Sequence, residues 1–318
     1  MDRLLLTRDL AERGFSPDEI RRMLARGEIA RVRRGAYLQL RNERQAAADP
    51  HDLRTPHLQL IVGTEAQLHP RAVLSHGSAA AVWGLPLFRD MVGQVHLTRD
   101  RRGGGVRRST VFVHGSPLRA EDRVLVEGHV VTSLARTAVD LARTLSFDKA
   151  VAVADSAVAL GADQLALAEC LEQARRWYGC PAARRVISFA DGRSESVGES
   201  FSRVRLHDLG LAPSTLQFEV FDENGRLVGV TDFAWPEHRT LGEFDGAVKY
   251  GALRRPGESP EDAVLREKRR EDALRDQGWE IARWGWEHLR TPEIIAARVR
   301  RAFDRASRTT RVARTGSK

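Results

Sequence analysis

Cysteine is nearly missing from this chain: its 318 residues include two, Cys170 and Cys180. Two thiols cannot build a disulfide framework or a four-thiolate zinc site. Long apolar runs are missing as well. No stretch approaches the roughly 18 residues that a membrane helix needs. The opening Met1-Asp2-Arg3-Leu4-Leu5-Leu6-Thr7-Arg8 breaks its apolar run too early for a signal peptide. No internal repeat is visible. These absences predict a cytoplasmic protein with no membrane partner. What is present, 42% apolar and 30% charged residues, suits soluble globular domains.

The formal net charge is +8, and most of it sits at one end. From Arg298 onward eight basic residues face a single acid, Asp304. Such a tail either tracks phosphate, because counterion release drives association, or is a solvated end.

The chain reads as a multidomain α+β and α/β protein. A short unit spans 1–45, a mixed α/β region 55–188, a second α/β unit 195–303 and a flexible basic tail 304–318. Arg41 to Thr55, poor in large apolar residues, reads as a linker. The first unit predicts helix, turn, helix and a two-stranded wing. Thr7 caps a helix that Gly14 ends. Ser16-Pro17-Asp18-Glu19 carries a capping box with proline in the first turn. Ile20, Met23 and Leu24 form an apolar stripe, with Arg21, Arg22 and Arg26 off it. Ile29 to Leu40 then alternates around Arg31, Arg33, Arg34 and Tyr37. This order predicts a winged helix-turn-helix, whose second helix enters the major groove. The other reading is a helical hairpin with solvated arginines.

The middle region offers little chemistry. Residues 75–84 and 133–142 predict capped helices, and Val95–Thr98 and Val111–His114 predict strands. Gly103-Gly104-Gly105 lacks the Lys-Ser or Lys-Thr of a phosphate loop and reads as a hairpin tip. His76, at a helix start with no polar partner by spacing, is expected to make a local hydrogen bond rather than act as ligand or base.

The C-terminal unit predicts helix, three strands, helix, strand and a last helix over 292–303. Asp222-Glu223-Asn224-Gly225 is its hairpin turn. Glu199 opens the first helix, Asp232 lies in the second strand, and Glu243 and Asp245 lie two apart on the third. Side chains at i and i+2 share a strand face, so Glu243 and Asp245 project together while Phe244 points away. Carboxylates on such a strand are costly to desolvate without a cation. A magnesium ion would relieve that cost and could activate water at a phosphoryl group. The alternative is an ordinary strand-end turn with Glu243 exposed. Trp235, Trp279, Trp284 and Trp286 are expected to pack rather than stack on bases.

Two resemblances are carried by these motifs. Leu10-Ala11-Glu12-Arg13-Gly14 and Leu24 to Tyr37 resemble the N-terminal domain of AbiEi-type antitoxins, which are winged-helix autoregulators. The middle helices at 75–84 and 133–142 are similar to AbiEi-related proteins too. Val230-Thr231-Asp232-Phe233-Ala234-Trp235, Gly242-Glu243-Phe244-Asp245-Gly246, Lys268 to Leu274 and Gly278 to Trp284 resemble the very-short-patch-repair-like branch of the PD-(D/E)XK nucleases.

The second resemblance implies an αβββαβ core and a Mg2+- or Mn2+-dependent DNA endonuclease. By position it implies Glu199 as the helix-borne acid and Asp232 and Glu243 as metal ligands, with Asp245 able to join them. The superfamily's lysine is replaced here by Asp245. Lys249, four residues on, and Arg270 are candidates for the phosphate charge. The first resemblance implies the alternative: a DNA-binding regulator, the antitoxin of a type IV toxin–antitoxin system with a cognate toxin partner. Its DNA contacts would be Arg21, Arg22, Arg26, Arg31, Arg33 and Arg34, and its nuclease-like domain would be inactive.

Overall fold

The computed structural model describes residues 4–39, 51–65, 73–101, 103–246 and 258–315. Backbone contacts divide the chain into two compact units, one of residues 1–145 and 161–188, the other of 146–160 and 189–318.

The first unit begins with β1 (Leu4–Leu6), α1 (Thr7–Glu12), α2 (Pro17–Ala25), β2 (Ile29–Arg33) and β3 (Ala36–Gln39). The capping box forms as its residues predict. Glu19 N donates to Ser16 Oγ at 3.3 Å, and Ser16 N donates to the Glu19 carboxylate at 2.8 Å. That contact holds the Glu19 carboxyl below its usual range, the backbone bond at Ser16 being the largest cause. The stripe works as expected: Ile20, with Met23 and Leu24 beside it, packs on Leu5, Leu10, Ile29 and Tyr37. One strand was not anticipated. Leu4 to Leu6 pair antiparallel with β3, in register Leu5↔Tyr37, giving the order β1-β3-β2. The chain therefore enters α1 from a strand, and Leu6 rather than Thr7 stands at its N-cap.

Helix α3 (Arg54–Glu65) starts at the end of the expected linker, whose residues 41–50 lie outside the described residues. Then come β4 (Val73–Leu74), α4 (His76–Trp83), β5 (Val95–Arg99), β6 (Val106–Arg107), β7 (Val111–Gly115), β8 (Arg123–Val126), β9 (His129–Thr132) and α5 (Leu134–Ala142). The strands form one sheet in the order β6-β7-β5-β4-β9-β8. Strands β5 and β7 are parallel, with His96↔Phe112 and Thr98↔His114 paired. Parallel neighbours need a crossover rather than a tight hairpin. Gly103 to Gly105 therefore lie in that crossover and are not a hairpin tip. Period-2 alternation buries Val95 and Leu97 in the core with Ile61, Leu74 and Ala79, and turns His96 and Thr98 to the opposite face.

Helix α6 (Phe147–Ala159) belongs to the second unit, whereas α7 (Gln164–Gln173) and most of α8 (Cys180–Phe189) belong to the first. A division at residue 188 misses this exchange. The reason is a buried polar anchor. Asp155 of α6 accepts from Ser200 Oγ and Arg203 Nη1, each at 2.7 Å, and from Asp191 N at 2.8 Å.

The rest of the second unit is α9 (Val197–Asp208), β10 (Thr215–Phe221), β11 (Leu227–Trp235), β12 (Thr240–Asp245), α10 (Pro260–Asp276), β13 (Glu280–Gly285) and α11 (Pro292–Thr315). The order αβββαβ is as expected, and the sheet runs β10-β11-β12-β13 with β12 and β13 parallel. One face packs Phe233, Trp235, Phe244 and Trp284 against Leu206 of α9 and Ile295 and Val299 of α11. The other packs Ala234, Leu241 and Ile281 against Leu274 of α10. The last helix runs to Thr315, so residues 304–315 are helical and the expected flexible tail is corrected. Ala306 is buried, and Arg305 Nε donates to Glu280 at 2.7 Å, which ties the helix down past residue 303.

Candidate functional site

The N-terminal module presents a basic surface. Packing of Ile20, Met23 and Leu24 leaves Arg21 and Arg22 of α2, and Arg26 at its C-cap, exposed. Arg21 pairs with Asp18, and Arg26 lies 3.7 Å from Glu28; their side chains are 76% and 70% exposed. Ion pairs that open are worth little, so these guanidiniums are available to an anion. Arg31 and Arg34 are exposed on the β2–β3 hairpin, while Arg33 is half-buried with its Nε unbonded. Gly35 (φ 82°) makes the turn.

The acids of the second unit are not gathered in the same way. Residue Phe244 faces α9, so Glu243 and Asp245, on the other strand face, look toward α10. Glu199 is buried and engaged by the start of its own helix and by β10. Its Oε1 accepts from Ser196 Oγ at 2.7 Å, and its Oε2 accepts from Glu195 N at 2.8 Å and Gln217 Nε2 at 3.1 Å. Asp232 accepts from Phe244 N at 2.7 Å, which holds it beside Glu243. Asp245 is exposed.

Glu243 is neutralised by arginines. The register Glu243↔Arg283 brings Arg283 Nε to 2.7 Å from one carboxylate oxygen, and Arg270 Nη2 lies 2.5 Å from the other. Both arginines also bond Glu267 at 2.7 Å, and Arg283 reaches Glu271 at 2.9 Å. Burial alone would lower the Arg270 pKa, but Glu267 and Glu243 raise it above its usual value. Arg270 is thus an internal partner and does not stand free for phosphate. Lys249 lies outside the described residues. A magnesium site needs carboxylate oxygens turned to a common point. With Glu199 capped and Glu243 held by two guanidiniums, the residues in place do not fit one. Trp235, Trp279 and Trp284 are buried as expected; Trp286 is 42% exposed and meets Phe244 edge-on at 5.1 Å.

The middle region holds what the sequence reading passed over. His76, His96 and His114 come together, each offering a ring nitrogen within 4.8 Å of the others. They are the only such group of three or more His, Cys, Asp or Glu among the described residues. The His76 and His114 rings stack at 3.8 Å, and His96 Nδ1 lies 3.1 Å from His114 Nε2. Burial, the largest cause, lowers all three pKa values, helped by neighbouring histidines at His76 and His96 and by Arg143 at His114 against Asp140, to about 3 for His96 and about 4 for His114. All three imidazoles are neutral at pH 7.

His76 has φ 49°, a left-handed conformation that costs a non-glycine residue about 1 kcal/mol or more. It does make the local bond expected of it, to Ser75 Oγ at 3.1 Å. Gly77 next to it is required, because a Cβ there would strike Met91 O. Behind the cluster, His57 Nδ1 bonds Val92 O, and its Nε2 meets Ser78 Oγ at 3.0 Å, which accepts from His96 N at 2.8 Å. In front lies a cavity of about 700 Å³ lined by His76, His114, Ser116, Asp140, Arg143 and Trp177. Its Asp140 is bonded at 2.8 Å to the buried Arg136, which also bonds Asp122 at 3.2 Å. The usable signal was strand alternation: each of β5 and β7 carries a histidine on the face opposite its core valines.

Among the described residues no helix is long and apolar enough to cross a membrane. Residues 3–38 match the family described as "Transcriptional regulator, AbiEi antitoxin". The crystal structure of the RV2827C protein from Mycobacterium tuberculosis is similar at a TM-score of 0.40 and 15% identity, over 69% of this chain and 83% of that one. Two uncharacterized M. tuberculosis proteins, MT2308 of strain CDC 1551 and Rv2248 of strain H37Rv, are each 32% identical over 289 residues, 88% of this chain and 94% of theirs. With an AbiEi-antitoxin-like segment at its start, the chain belongs to the family of MT2308 and Rv2248.

Proposed function

We propose that this protein is a DNA-binding transcriptional regulator of the AbiEi antitoxin type, reading duplex DNA with a winged helix-turn-helix formed by residues 4–39. The observation that carries the reading is the exposed arginine set of α2 and the β2–β3 hairpin, within the segment that matches the antitoxin family. In this geometry α2 lies in the major groove, with Arg21 and Arg22 toward the bases, and Arg31 and Arg34 at the hairpin reach phosphates. Selection of bound sequences from a random duplex pool tests it. Enrichment of one motif by wild type, lost in Arg21→Ala/Arg22→Ala, supports the reading; no enrichment contradicts it. A toxin encoded beside such a regulator is its expected protein partner, checked by co-purification.

A second reading is favoured by one observation, the αβββαβ order with Asp232 held beside Glu243. It makes the second unit a phosphodiesterase whose Glu243 is freed when DNA phosphate draws Arg270 and Arg283 away. Incubation with DNA and Mg2+ or Mn2+, beside Asp232→Ala and Glu243→Ala, decides it. Cleavage by wild type alone supports the enzyme. Equal cleavage by all three, or none, leaves the regulator.

A further inference from the structure

Neither reading uses the histidines of the six-stranded sheet. Three of the ten histidines in the chain, from a helix start and two parallel strands, meet beside a cavity that His76 and His114 line. We propose that His76, His96 and His114 bind one divalent transition-metal ion of the zinc class, with a fourth coordination position open to that cavity. Tetrahedral zinc–imidazole bonds place ligand nitrogens about 3.3 Å apart. His96 Nδ1 and His114 Nε2 already lie at 3.1 Å, and all three residues fall within 4.8 Å. Small ring rotations close the set.

Other features support a metal over a packed imidazole stack. Ser75 Oγ engages His76 Nδ1, which orients the ring and leaves Nε2 as the donor, as outer hydrogen bonds do at metal centres. The Ser78–His57 relay fixes the backbone of His96 from behind. Thr98 shares the strand face of His96 and pairs with His114, and its buried Oγ1 has no hydrogen-bond partner. A ligand at the open position would supply one.

Nearby positive charge is offset in part, Arg107 being the further cation that faces His96. Arg136 is matched by Asp122 and Asp140, and Arg143 by Asp140, at 3.2 Å or less. Three imidazoles without a carboxylate select a borderline ion such as zinc over magnesium. Three protein ligands with an open fourth position also distinguish it from a closed structural site.

The test uses the full chain stripped with a chelator and dialysed. Zn2+ binding is measured by competition with a chromophoric chelator for wild type, His96→Gln, His114→Gln and, as control, the exposed His207→Gln. One Zn2+ per wild-type and control chain, and affinity at least about tenfold weaker in the other two, supports the site. No saturable binding by wild type, or equal affinity in all four proteins, overturns it. X-ray absorption at the zinc edge of the wild-type protein keeps the result decisive if a variant does not fold. Three imidazole nitrogens at about 2.0 Å are expected, and fewer than three contradict the assignment. Saturating Mg2+ that displaces the zinc would contradict it as well.

Discussion

Arg136 is the most heavily invested side chain of the first unit, and replacing it with methionine gives a sharp test of the packing argument. The guanidinium is 1% exposed. It donates to Asp140 Oδ2 at 2.8 Å, Asp122 Oδ2 at 3.2 Å, Pro117 O at 3.0 Å and Ser116 Oγ at 2.8 Å, and it lies 4.9 Å from the Trp177 ring centroid. Methionine fills most of the volume but leaves two carboxylates, each 1% exposed, without that partner. Breaking a buried pair in this way costs about 3–5 kcal/mol. The low end applies, because Asp140 keeps Arg143 at 3.0 Å and Asp122 keeps the Arg119 amide at 2.9 Å. About 3 kcal/mol corresponds to a Tm lower by roughly 6–12 °C for a unit of this size. Urea unfolding followed by tryptophan fluorescence measures it. Adding Asp122→Asn removes one stranded charge and restores part of the loss. A single variant within about 0.5 kcal/mol of wild type, as for a surface change, or a double variant no better than the single, refutes the reasoning.

Three further outcomes follow from the same structure. The folded His96 and His114 pKa values, about 3 and about 4, lie below the unfolded value. Metal-free protein is therefore most stable above about pH 6.5 and loses up to about 1.4 kcal/mol per pH unit per histidine as pH falls toward those values. Burial leads the cause, with His114, His57 and Arg107 facing His96, and Arg143 facing His114 against an opposing Asp140; a stability curve from pH 7 to 5 that does not flatten in His96→Gln/His114→Gln contradicts it. Gly198→Ala drives a methyl into the Phe244 ring and costs about 1–3 kcal/mol; a neutral result by thermal denaturation would show that α9 and β12 are less tightly packed. Ser16→Ala removes the α2 cap and costs about 1 kcal/mol, read by the same melt; an unchanged midpoint would remove the capping box from the account.

What the sequence made legible was local. The Ser16–Glu19 capping box, the Asn224-Gly225 turn and the αβββαβ order follow from short-range signals, and the structure has each of them. Asp222 accepts from Asn224 N and Arg226 N at that turn, at 2.9 and 2.8 Å. What was not legible depends on partners far away in the chain. Strand β1 exists only because Leu5 pairs with Tyr37. Glu243 sits between Arg270 and Arg283 because α10 and β13 pack beside β12, and no spacing rule gives that charge match. His76, His96 and His114 are separated by about twenty residues each and meet through pairing of β4 with β5 and parallel pairing of β5 with β7.

The central claim, that the N-terminal module binds duplex DNA through its exposed arginines, is tested most directly by salt-dependent fluorescence anisotropy. Arg31 and Arg34 touching phosphate contribute about −2 to the slope of log K on log salt. The account predicts that Arg31→Ala/Arg34→Ala weakens binding and makes that slope shallower by about 2. An unchanged slope and affinity would place the DNA contacts elsewhere and contradict the account.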